Sequence, residues 1–375
     1  MTGEDEDANA GQSESWTVRR LMTEVVGSGP KSAEDMSREQ ARQALEAIFA
    51  GEPDHTTLGG FFVANRWKRN TPEELAAYVD VMREQSVTTA EPSVDPVDCG
   101  ANYDGKTRSA LLGVAAGVVA AAAGTPVVAH SGDYVPMSEG TAYKHVLDEL
   151  GVETDLAPGE SADMVDETGF GFYYQPNFNS TVSDLYERRS ALGVRTFLNT
   201  VETLANPANA DVHLGSFYHL SFAKRIVDTF RESHESDLSR VIMFQGLEGY
   251  DDIRPGYTKV AEWEAKASGM EAADAAERDG AELEDYEIQT AEYGMDFERE
   301  DLAVENVAGD SATITEEILA GEREDHFADA VALNAAFRMY ARDDVDELVD
   351  GVESAREVVE DGSAAAVLDD LREFR

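Results

Sequence analysis

Residues 110–129 read ALLGVAAGVVAAAAGTPVVA, twenty positions without a charge in a chain where 76 of 375 residues are Asp or Glu. Such a stretch has to be buried. Its Ala, Gly and Val side chains, with Thr125 and Pro126 inside it, transfer too poorly into hydrocarbon to form a spanning helix. The segment therefore predicts a tightly packed helix followed by a short buried strand, Pro126–His130. A helix running into a buried strand is half of a βαβ unit, and the rest of the chain is read around it.

The formal charge is −46, with only seven lysines. The acids are spread through helical patterns and not gathered in a tail, so they mark the solvated surface of a folded chain rather than disorder. In molar salt the Debye length falls to about 3 Å, which screens the self-repulsion; the charge predicts a halophilic protein that unfolds in dilute buffer. It also opposes contact with a phosphate backbone, so nucleic acid is an unlikely partner class. One cysteine, Cys99, excludes a disulfide framework and a thiolate zinc site, and the seven histidines show no HExxH spacing. The N-terminus, MTGEDEDANAGQSES, has no apolar segment of a signal peptide. A cytoplasmic protein without membrane contact is expected.

Residues 1–16 read as a disordered acidic tail. Ser37 with Gln40 forms a capping box ahead of Ala41, Leu45, Ile48 and Phe49. Thr71-Pro72-Glu73-Glu74 is a second helix start, with Leu75, Tyr78, Val79 and Met82 as its apolar stripe. Residues 17–94 thus predict a small all-helical N-terminal domain, and 95–375 a larger α/β domain with a mainly parallel sheet. Strands are expected at 126–130, 214–218 and 241–244, and the apolar, aromatic run at 169–174 reads as core or hinge packing. Between and after them helices are expected at 142–151, 183–192, 223–233, 314–319, 330–340, 345–359 and 364–374. Residues 262–310 are acidic and weakly patterned.

The segment VIMFQGLEGYDD at 241–252 puts a buried strand, a glycine-punctuated loop and two adjacent carboxylates in one order. Paired carboxylates at a loop suit Mg²⁺, which takes one or two protein carboxylates and completes its shell with phosphates. Acidic neighbours arise by chance at a frequency of about 0.04 in a chain this acidic. Asp251 and Asp252 can therefore also be plain surface acids.

Several segments together resemble the anthranilate phosphoribosyltransferase family: residues 38–51, residues 58–83, RRSALGVRTFLNTVETLANP at 188–207, QGLEGYDD at 245–252, and residues 329–371. The resemblance implies the fold of the nucleoside phosphorylase and phosphoribosyltransferase relatives, with the helical domain completed by helices from about 176–205, and a homodimer. It implies transfer of the 5-phosphoribosyl group of phosphoribosyl pyrophosphate (PRPP) to an amine, anthranilate by default, in tryptophan biosynthesis, with Mg²⁺ assisting loss of pyrophosphate. By the same resemblance Asp251 and Asp252 would hold the metal, and Gly100, Asp104, Gly105, Lys106, Thr107 and Arg108 would bind PRPP. His130 would be the catalytic residue beside the acceptor, and Arg189 and Asn199 would meet the acceptor.

The sequence departs from the family pattern at defined places. GANYD at 100–104 stands where the family has GTGGD, so Asn102 and Tyr103 replace two glycines. Ala110, Leu112 and Gly113 replace hydroxyl and amide donors, AHSGD at 129–133 replaces KHGNR with Asp133 at an arginine's place, and Glu202 replaces a glycine. Lys106 and Arg108 are then the remaining cations for phosphate. His130 also reads as a structural residue ending a buried strand, and Arg189 as an ion-pair partner of the abundant acids. Two alternatives follow: a ligand- or nucleic-acid-binding protein on the same scaffold, and a transferase or phosphorylase with another acceptor.

Overall fold

The computed structural model describes residues 15–100, 103–133, 140–265 and 283–375. The tail expected at 1–16 therefore lies, apart from its last two residues, outside the described residues, as does Asn102.

Both capping boxes form. Ser37 caps the helix Arg38–Phe49 with Gln40 answering, and Thr71 caps Pro72–Gln85 with Glu74 answering. With His55–Lys68 these helices enclose an aromatic core, in which Phe61, Phe62 and Tyr78 meet Phe197 and Tyr78 stacks on it at 4.1 Å. Phe178, Val182, Leu198 and Val201 belong to the same buried cluster, so the segment after residue 175 packs on the N-terminal helices. Each such aromatic contributes about 1.5–3 kcal/mol by leaving water.

Seven strands form the sheet: β1 Val97–Cys99, β2 Val127–Ser131, β3 Phe170–Tyr174, β4 Val212–Phe217, β5 Arg240–Gln245, β6 Tyr257–Glu264 and β7 Glu284–Gln289. Their spatial order is β3-β2-β1-β4-β5-β6-β7. The pairings from β3 through β5 are parallel, and β5–β6 and β6–β7 are antiparallel. The change of direction has a simple cause. Residues 246–256 between β5 and β6 are too few for a crossover helix, so the chain turns back on itself. The sequence reading missed β1, β6 and β7 and took β3 only as an apolar, aromatic run; β7 falls in the weakly patterned stretch, which begins within the last residues of β6.

The helix Gly113–Ala122 lies buried beneath the sheet as its uncharged sequence required. A side chain at Gly117 would come within 2.7 Å of the Phe170 ring, so glycine is what lets this helix seat on β3. The C-terminal helices Val307–Leu319, His326–Ala341, Leu348–Glu360 and Ser363–Glu373 complete this core. Among the described residues no helix is long and apolar enough to cross a membrane.

Candidate active site

Strand order reverses direction at β1 and β4, which lie side by side although β2 follows β1 in the chain. In parallel sheets such a switch point opens a crevice at the carboxyl ends of the strands. Cys99 ends β1, Phe217 ends β4 and Gln245 ends β5, and the loops after β1 and β5 carry residues picked out from the sequence.

The acidic pair sits at the end of the β5 loop, fully buried. The Tyr143 hydroxyl donates to Asp251 Oδ2, and the buried Arg338 guanidinium lies 3.3 Å from the same oxygen. Asp252 Oδ2 is 2.5 Å from Lys106 Nζ and accepts from the Leu112 amide at 3.1 Å. Lys106 also donates to the Ala110 carbonyl at 2.8 Å, so this lysine is a buried partner of the acid pair and not a surface cation. The other oxygen of each carboxylate, Oδ1, has no protein partner. Burial pushes the Asp251 carboxyl up to about 6; Arg338 pulls against this, and the neighbouring Asp252 charge adds to it. Among the described residues no group of three or more His, Cys, Asp or Glu is arranged to hold a metal. Two protein carboxylates are what this site offers.

Within the same loop Glu248 adopts φ 55, left-handed for a residue with a side chain. That turn aims its carboxylate at residues 107–109. It accepts from the Thr107 and Ser109 amides at 3.1 and 2.9 Å, from the Arg108 amide at 3.3 Å, and from both hydroxyls at 3.1 and 2.7 Å. Three successive amides converging on one anion form a nest of the kind that holds phosphate. Here a side chain of the protein itself supplies the anion. Beyond it lies a cavity of about 390 Å³ bordered by Arg108, Arg254 and Arg299.

One carboxylate inside β1 organises the switch point. Asp98 is buried between His130 of β2, with Nε2 3.1 Å from Oδ1, and His213 of β4, with Nδ1 2.7 Å from Oδ2. Burial alone would raise the Asp98 carboxyl, but His130 and His213 hold it well below the usual carboxylate range. As a carboxylate it only accepts, so in the hydrogen bond from His213 the proton sits on Nδ1. The Tyr103 hydroxyl meets His130 Nδ1. His130 is thus hydrogen-bonded at Nδ1 and faces Asp98 with Nε2, without a hydrogen bond there, and Tyr103 and Phe178 stand edge-on to its ring. His213 lines a cavity of about 320 Å³ together with Gly100, Asp104, Thr196, Asn199 and Thr203. Asp104 pairs with Arg195 at 2.5 Å, and the Asn199 Nδ2 is buried without a partner.

Arg189 stands outside this cavity. Its two amino groups grip Glu202 at 2.7 and 2.8 Å, and Gln175 adds a third bond to the same carboxylate at 3.0 Å. Both members of the pair are buried. Arg189 also borders a cavity of about 250 Å³ that includes Asp133, whose carboxylate takes the Tyr174 hydroxyl at 2.6 Å and lies 3.6 Å from Lys144.

The structure therefore gathers Gly100, Asp104 and Asn199 in one cavity and Thr107 and Arg108 at the Glu248 clasp. It pairs Lys106, Asp251 and Asp252 beneath them. Gly105, at φ 71, turns the loop between the two groups, where a side chain would strike the backbone of residues 140–141. Sequence reading missed Asp98, Tyr143, His213, Glu248 and Arg338. Arg338 carried a usable signal, as a lone charge inside the apolar run ALNAAFRMYA.

Comparison with known proteins agrees with this geometry. Residues 95–365 match the model of the glycosyl transferase family a/b domain, and residues 24–86 that of its helical bundle domain. An anthranilate phosphoribosyltransferase of Natronomonas pharaonis is 31% identical, over 91% of this chain and 96% of its own. One from Leptothrix cholodnii is 31% identical, over 86% and 88%. The crystal structure of the Thermus thermophilus anthranilate phosphoribosyltransferase superposes with a TM-score of 0.75 at 27% identity, over 91% of this chain and 96% of that one. The Saccharomyces cerevisiae enzyme, solved in complex with PRPP and Mg, shares the fold with a TM-score of 0.75 at 18% identity, over 90% and 93%. The chain belongs to the anthranilate phosphoribosyltransferase family of glycosyl transferases.

Proposed function

We propose that the protein is a PRPP-dependent phosphoribosyltransferase whose acceptor is an aromatic amine, anthranilate by family. The observation that carries this beyond family membership is the pair of partnerless Oδ1 atoms on Asp251 and Asp252. A buried carboxylate oxygen without a partner is costly unless a cation or donor arrives. Mg²⁺ fits that need. Lys106 and Arg338 already balance the two acids, so the residual charge favours a metal that enters with a diphosphate and takes its remaining ligands from it. When bound, the ion would neutralise charge developing on the departing pyrophosphate.

The remaining work falls to the chain. The loop 100–109 ends in a nest that already holds one carboxylate, which supports its use for anions. Asp104 and Gly100 face Asn199 across the 320 Å³ cavity, where ribose C1 and the amine would meet. Arg189 acts through Glu202, fixing the segment that carries Asn199; an acceptor carboxylate reaches Arg189 only by displacing Glu202. His130 braces Asp98. A cytoplasmic homodimer completes the proposal, on the family resemblance.

Calorimetric titration with PRPP and Mg²⁺ in molar KCl, followed by anthranilate turnover, tests the reading. The parent should bind PRPP, and Asp251→Asn/Asp252→Asn should lose the Mg²⁺-dependent part of that affinity. A parent that does not bind PRPP would remove the proposal.

A further inference from the structure

The geometry points to His213, oriented by Asp98, as the group that removes the proton from the acceptor amine; the inference rests on the transferase reading above. An amine that bonds to C1 of the phosphoribosyl group becomes positively charged while the C1–O bond breaks and its electron pair leaves on pyrophosphate. One N–H proton must then depart, and a base beside the nucleophile is what the step lacks.

Four observations place that base on β4. His213 borders the cavity shared by Gly100 and Asn199. Its Nδ1 is 2.7 Å from Asp98, a carboxylate held ionised, so the proton sits on Nδ1 and the lone pair on Nε2. Among the described residues nothing bonds to Nε2. Gly100 packs against this ring edge, and since a Cβ there would come within 2.3 Å of Cε1 and 3.1 Å of Nε2, only glycine leaves that edge uncovered by a side chain. His130 cannot serve in the same way, because both its nitrogens face protein groups. It braces Asp98 from the other side, so that one carboxylate orients a working imidazole and a structural one. The Phe230 ring, 4.9 Å from that of His213, limits rotation.

Deprotonation should appear in the pH profile. The charged groups facing this imidazole are Asp98 on β1, with His130 behind it on β2 and Arg83 from the N-terminal helices, and across the cavity the Asp104–Arg195 pair, Arg66 and His219. A proton on Nε2 blocks the step, so kcat/KM for the amine falls toward acid pH.

The experiment compares the parent with His213→Gln, Asp98→Asn and His213→Ala in molar KCl, with thermal melts as a fold check and calorimetry for PRPP. His213→Gln should keep its PRPP affinity, lose kcat by about 100-fold or more, and lose the acid limb. Added imidazole should restore part of the activity of His213→Ala, which a packing role would not allow. If His213→Gln does not fold, Asp98→Asn carries the test through a changed tautomer and a kcat at least 10-fold lower. A His213→Gln enzyme with kcat within threefold of the parent and an unchanged acid limb overturns the inference alone. A parent that fails to bind PRPP overturns the transferase reading and this inference with it.

Discussion

Replacing Glu248 should open the loop at 107–109. Its carboxylate takes five hydrogen bonds from that loop, the shortest from Ser109, whose amide and hydroxyl lie at 2.9 and 2.7 Å. A hydrogen bond to a charged group contributes about 1.5–3 kcal/mol, but five sharing two oxygens do not add. We take the Ser109 pair as dominant, with the others worth little more than their geometry, and set the clasp at about 2–3 kcal/mol. Glu248→Ala should then speed exchange of the Ser109 amide by about 30- to 100-fold, since each 1.4 kcal/mol is tenfold. Glu248→Gln, which keeps one acceptor oxygen and loses the charge, should speed it about tenfold. Hydrogen exchange read by mass spectrometry or NMR in molar KCl is the assay.

The pH dependence follows from the sign of the shift. Burial opposes ionisation of Glu248, yet the bonds from Ser109 and Thr107 hold its carboxyl below the ordinary range. A depressed carboxyl contributes stability that is complete above its unfolded value and is lost as pH falls through the folded one. The parent loop should therefore be equally protected at pH 7 and pH 5 and loosen only in more acid solution. Exchange at Ser109 within twofold of the parent in Glu248→Ala, or a parent loop already loosened at pH 5, would refute the clasp.

Breaking the Arg189–Glu202 pair from one side with Glu202→Leu should cost about 3–5 kcal/mol, because it strands a buried guanidinium. Arg189→Leu/Glu202→Leu should recover most of this, and a urea unfolding cycle in molar KCl showing additive losses would contradict it. Gly100→Ala should destabilise the fold by about 1–3 kcal/mol, because its Cβ would meet His213 Cε1 at 2.3 Å and the Thr203 carbonyl at 2.5 Å. An unchanged melt would refute the tight approach. Dialysis into dilute buffer lengthens the Debye length from about 3 Å to about 30 Å and should unfold a chain of charge −46. Circular dichroism showing a cooperative melt there would argue against salt-dependent folding.

What the sequence displayed and what it hid separate along a physical line. Features that act within one turn were legible: Ser37 with Gln40 and Thr71 with Glu74 cap their helices as read. So was the uncharged stretch that became the helix Gly113–Ala122 and β2. β1 escaped because its three residues, VDC, place a carboxylate where a strand normally shows an apolar side chain. That carboxylate is tolerated only because two histidines from strands distant in sequence close on it. β6 and β7 escaped because the sheet's outer edge is acidic, with Glu284, Asp285 and Glu287 on β7, which suits an edge strand that must not pair further.

The partners of the site escaped for a related reason. In a chain with 76 acids, an aspartate carries almost no information about whether it is buried, and Asp98, Asp251, Asp252 and Glu202 look like any surface acid. The cations are the informative residues. Only 30 Lys and Arg are present, and keeping one in a dry interior costs several kcal/mol unless an acid meets it. Lys106 on Asp252, Arg338 on Asp251, Arg189 on Glu202 and Lys68 on Glu74 are all such cases. A cation set in an apolar run of a very acidic chain thus points to a buried acid across the fold, and Arg338 among its alanines was the strongest such pointer here. Asp98 obeys the same logic with imidazoles in place of stronger cations. A carboxylate neutralised by groups that can also release a proton suits an interior that takes part in chemistry, whereas the fixed charges of Lys106, Arg338 and Arg189 suit one that only has to hold its shape.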